Sequence, residues 1–141
     1  MPEFQNSDVV KHILGKLIDI SSRKTSLGHA VFTVQDLINK LKNKHDFLKN
    51  VQVTDTRFVE FGDPISIMTK IDDVKSNDIR NALYDIIKMM NDSLGKDAGH
   101  FFIKELRSNI DEDYYSVMEE MGLDLGLMQL EYEVNEMSKK L

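Results

Sequence analysis

The chain contains no cysteine. That excludes disulfides, thiolate metal ligands and a cysteine nucleophile together, and it fits a reducing compartment. No apolar run approaches the ~20 residues that cross a bilayer. The first ten residues, MPEFQNSDVV, lack the basic start and apolar centre of a secretion signal. These absences lead to the expectation of a cytoplasmic protein without membrane contact. The signatures of chemistry are also missing. No serine stands in a G-x-S-x-G context. The four histidines, His12, His29, His45 and His100, form no H-E-x-x-H pair. The acidic residues Asp111, Glu112, Asp113, Glu119, Glu120 and Asp124 do not follow the calcium-loop pattern. The expectation is therefore a protein with no metal, no cofactor and no catalytic activity. There is no internal repeat.

What the chain does have is enough apolar residue for a core. Its 141 residues are 41% hydrophobic and 30% charged, the profile of one globular domain. The net charge of −6 is unevenly spread. Residues 1–50 carry eight Lys/Arg against five Asp/Glu, whereas residues 76–141 carry seven against fourteen. The first third can face a polyanion and the last half repels one.

Helical periodicity opens the chain: Val10, Ile13, Leu14, Leu17 and Ile18 recur on one face over 7–23, with Ser7 as a candidate cap. Residues 21–30, SSRKTSLGHA, read as a polar loop and AVF at 30–32 as a short strand. Thr33 with Asp36 resembles a capping box for a helix over 34–43, and KHDFLKN at 44–50 supplies one further helical turn. The β-branched segments 51–61 and 65–71, punctuated by GDP at 62–64, read as a hairpin. Residues 76–95 form the clearest helix, with Ile79, Leu83, Ile86, Ile87, Met90 and Leu94 as its buried stripe. In LGKDAGHFF, Gly95 ends that helix and Asp97 caps the next, so the two glycines mark a joint between helices and not a phosphate loop. A short helix covers 109–122. The C-terminus carries two patterns. Leu123, Leu127, Leu130, Val134, Met137 and Leu141 are spaced as an a/d heptad seam, and Met128, Leu130, Tyr132 and Val134 alternate as a strand would. The helix, from about residue 125, is the favoured reading.

The expected fold is α+β. An N-terminal helix–helix–β-hairpin part over 1–75 packs with a C-terminal set of short helices over 76–141, and the two share one core. The order of elements over 7–71 resembles a winged helix. That resemblance implies a small DNA-binding transcription regulator, with Lys42, Lys44, His45 and Lys49 on the reading segment and a wing tip near Gly62. The same segment has no arginine, and the wing tip EFGDP has two acids and no base. The favoured reading is instead a non-enzymatic regulatory or interaction protein, a homodimer, that binds a protein partner or small ligand through its C-terminal helices. Tyr115, Met121, Met128 and Tyr132 are the candidate partner surface, since methionine adapts to irregular faces. A third reading is a small-molecule sensor with an apolar site around Phe101 and Phe102.

Overall fold

A computed structural model describes residues 5–53, 65–67, 69–93 and 102–139 of the chain. Helix α1 runs from Asn6 to Lys24. Its buried positions, among them Val9, Val10, Ile13, Leu14, Leu17, Ile18 and Ile20, cover so broad an arc that the helix must lie among other elements and not on top of one. It packs against α2 (Leu27–Leu41), α3 (Ser76–Ser93), α4 (Phe102–Asn109) and α5 (Glu112–Met121). Its start is pinned by the 3₁₀ turn Thr69–Asp73: Asn6 Nδ2 donates to the carbonyls of Ile71 and Val74, at 3.1 and 2.7 Å, and the Ser7 amide donates to Asp72 Oδ1 at 2.8 Å. A carboxylate at that end also suits the helix dipole.

The expectation of an α+β fold with a hairpin and a winged helix is corrected: the protein is mainly helical. Residues 21–24 continue α1, and residues 30–32 lie inside α2 and form no strand. The Ser26 side chain accepts from the His29 amide at 3.2 Å and starts α2 seven residues before the expected Thr33. Thr33 instead donates back to the His29 carbonyl at 2.8 Å, as a mid-helix threonine does. Ala30, Val31, Val34, Leu37, Ile38 and Leu41 make one buried helical stripe, and that burial overrides the local β-preference of a three-residue run. The expected reading helix is one 3₁₀ turn, Asp46–Asn50. Strands β1 (Val51–Val53) and β2 (Ile65–Ile67) pair antiparallel, Val51 opposite Ile67 and Val53 opposite Ile65. Three residues on each side make a ribbon beside the helices and not a sheet that could define the class. The wing tip and the joint at 94–101 lie outside the described residues.

The last two helices are joined by a tight turn. Gly122 takes φ 92°, its amide donates to the Glu119 carbonyl, and the Leu123 amide reaches back to Met118 at 2.9 Å. This Schellman arrangement needs a residue free of left-handed strain, and it buries Leu123 against the core. Asp124 then caps α6 (Leu125–Lys139), its Oδ1 accepting from the Leu127 amide at 3.1 Å. The favoured helix thus forms, despite Gly126. It rests mainly on α4.

Leu17 is fully buried in the central helix, so Leu17→Ala should cost about 2–5 kcal/mol in chemical denaturation. Phe32, 69% exposed on α2, should tolerate Phe32→Ser within about 0.5 kcal/mol by the same measurement.

Candidate functional site

The basic residues proposed for nucleic acid are largely committed to this chain's own acids. Lys42 ends α2. Lys44 Nζ lies 3.0 Å from Asp85 Oδ2, and His45 Nε2 lies 2.7 Å from the same oxygen. Lys49 pairs with Asp46 at 2.7 Å. No described helix presents the four together. His45 is nearly buried, so the cluster ties the 42–50 segment to α3. Burial works against the charge on Asp85, but the hydrogen bonds from His45 and Lys44 outweigh it and hold the carboxyl below its ordinary value.

A second histidine joins α1 to the α4–α5 corner. The His12 ring stacks on Tyr114 with centroids 3.9 Å apart and planes within 5°, and its Nε2 accepts from the Asp111 amide at 3.4 Å. An accepting nitrogen is an unprotonated one. Burial pushes the His12 pKa below its ordinary value, against the opposing pull of Asp111.

The candidate partner residues separate. Tyr115 is buried under the Arg107 guanidinium, which lies 3.5 Å from its ring centroid and is held by two hydrogen bonds to Glu112. Met128 is buried and Met121 packs partly buried on the core. Tyr132 is half-buried. The outward face of α6 is formed by other residues: Leu127, Leu130, Val134 and Met137 are between 52% and 67% exposed. Their spacing of three, four and three places them in one stripe. These are the seam residues of the heptad pattern, and they face away from the domain.

An adjoining flank of α6 makes a pocket with α3, of about 380 Å³. Tyr84, Lys88, Asn91 and Asp92 of α3 face Met128 and Tyr132, with Ile103 of α4 on the wall. Tyr84 donates its hydroxyl to Glu131 at 2.8 Å, which ties the two helices. That hydrogen bond, with burial, raises the Tyr84 pKa above its ordinary value. Phe102 is fully buried in the core and Phe101 lies outside the described residues, so the apolar site expected around them is not what this pocket offers. The polar lining was missed from sequence because Tyr84, Lys88 and Asp92 look like any solvated helix face. Asn91 carried a signal: it lies four residues after Ile87 and eight after Leu83, inside the apolar stripe.

Among the described residues, no three His, Asp or Glu side chains converge as metal ligands, and no helix is long and apolar enough to cross a membrane.

Acid should weaken this fold in two separate windows. His12 binds its proton less readily folded than unfolded, so its contribution is present above pH ~6.5 and is lost as pH falls through the window just below. His12→Phe keeps the stack and should flatten that slope in denaturation measured from pH 5 to 7. The Asp85 contribution is present above pH ~4 and is lost only as pH falls further, through the lowered folded value. Asp85→Asn should cost about 1–3 kcal/mol at pH 7, because it removes the carboxylate charge that Lys44 and His45 both meet. No protein family model, no curated protein and no solved structure matches this chain.

Proposed function

We propose that this protein is a non-enzymatic interaction module that works by pairing with a second copy of itself through α6. The observation that carries the reading is the stripe Leu127, Leu130, Val134 and Met137, large apolar residues that the domain's own fold leaves more than half exposed. Isolated exposed apolar residues need no explanation, whereas a contiguous stripe on one helix marks an interaction surface. The occupant is argued from the spacing. Residues at a and d positions of a heptad are knobs for holes of the same pattern, so the stripe is complementary to itself. A two-fold axis brings one such stripe onto its copy, which is the commonest way soluble chains associate.

Two features set the strength of the pairing. The stripe is shorter than the three to four heptads of a free-standing coiled coil, so the contact is between folded domains and is concentration-dependent. Two flanking acids are engaged within their own chain: Glu131 accepts from Tyr84 at 2.8 Å and Glu133 from Gln129 at 3.0 Å. The C-terminal half is nonetheless acidic overall, so two copies repel at long range. Salt screens that repulsion and should favour the dimer, the opposite of its effect on a nucleic-acid complex.

Sedimentation equilibrium of the full chain tests the reading. The expected result is a monomer–dimer equilibrium with a dissociation constant on the order of micromolar or weaker, which tightens between ~50 and ~500 mM salt. Leu130→Glu with Val134→Glu should leave a folded monomer. A wild-type chain that stays monomeric at several hundred micromolar, or a double variant that still dimerises, overturns it.

A further inference from the structure

The pocket between α3 and α6 has a feature that a packing gap lacks. Asn91 is 3% exposed, and its amide oxygen accepts no hydrogen bond. A buried amide oxygen left without a partner is uncommon, because it forfeits water without replacement. Asn91 lies in the pocket wall, beside space large enough for a small ligand. On either side of it, one helical turn apart, stand Lys88 and Asp92. Neither charge has an ion-pair partner among the described residues, although Tyr84 and Glu131 close by are matched to each other. The far wall is Met128 and the Tyr132 ring, with Ile103 between.

We propose that this pocket binds a free α-amino acid with an apolar side chain. The carboxylate meets Lys88, the ammonium donates to Asp92 and, with a turn of the Asn91 side chain into the pocket, to its Oδ1, and the side chain lies against Ile103 and Met128. The three polar groups on α3 present, within one helical turn, a cation, an acceptor and an anion, which is the complement of a zwitterion. A plain anion meets only Lys88 and is repelled by Asp92 and Glu131. A plain amine meets Asp92 and Asn91 but is repelled by Lys88. The apolar wall excludes strongly polar side chains, since burying them there leaves their groups unpaired. The site is independent of the α6 stripe, which lies on another flank of the helix, and it stands or falls separately from self-association.

The test uses the monomeric Leu130→Glu, Val134→Glu chain alongside the wild type, so that dimerisation and binding are read apart. Methyl resonances of Ile103 and Met128 are followed by NMR during titration with L-phenylalanine, phenethylamine and 3-phenylpropionate. L-Phenylalanine should give saturable shifts with a dissociation constant on the order of 1 mM or tighter, and each of the other two should bind about tenfold more weakly. Lys88→Gln should weaken L-phenylalanine binding at least severalfold. Asn91→Ala should abolish it, and any fall in melting temperature should not exceed that of a small buried truncation, because the amide oxygen accepts no hydrogen bond within the fold. L-Phenylalanine binding that survives Asn91→Ala overturns the assignment. So does the absence of saturable shifts with L-phenylalanine at ~10 mM, or equal binding of all three probes, which marks an unselective apolar crevice.

Discussion

Everything in this fold is placed by reference to the buried central helix. The apolar arc of α1 is too broad for one neighbour to cover, so α2, α3, α4 and α5 close around it and the 3₁₀ turn at 69–73 seals its start. A helix buried on so many sides brings a large hydrophobic stabilisation, and it dictates where the polar ends of its neighbours must find partners. The Asp85–His45–Lys44 cluster and the His12–Tyr114 stack are such partners, each joining elements that meet near the core. The helix that escapes this arrangement is α6. It is fixed by the Gly122 turn, by its contact with α4 and by the Tyr84–Glu131 hydrogen bond, and its outer face touches nothing in its own chain that would bury it.

That difference separates structural from functional residues more clearly than residue type does. Tyr115 and Met128 are the kinds of side chain that mark binding faces, yet both are buried. Lys44 and Lys49 are the kinds that hold phosphates, yet both are paired with acids of this chain. Among the described residues, the groups left without internal partners include the apolar stripe of α6 and the amide oxygen of Asn91. Both proposals start from those uncompensated groups, and both involve the helix least committed to the core.

Periodicity made much of this legible in the sequence. Helices α1 and α3 follow from spacing alone, because their stripes run long enough to outweigh local preferences, whereas α6 carried two competing patterns and helix-forming residues favoured the one that forms. The heptad pattern included the four apolar residues of α6 that the fold leaves exposed. Spacing could not say whether that stripe packs on the domain or faces away, since a core stripe and an interface stripe look the same in one chain. The N-terminal third was misread because Thr33 and Asp36 offered a plausible cap, while the true cap at Ser26 sat in a stretch that resembled a loop. Moving the start of one helix by seven residues removed a strand and left no reading helix of the kind a winged helix has. The Asn91 site was hidden for another reason: a lone polar residue in an apolar stripe has meaning only once its neighbours in space are known.

The absence of cysteine makes the decisive measurement simple, since a single introduced thiol reports on one position. Val134→Cys, on the α6 stripe, and Phe32→Cys, equally exposed on α2, would be oxidised side by side at the same concentration. A disulfide forms only where two Cα atoms come within about 7 Å. Pairing through α6 predicts rapid, near-complete cross-linking of Val134→Cys and little of Phe32→Cys. Equal, slow cross-linking of both would show that the copies meet only by random collision, and would contradict the account.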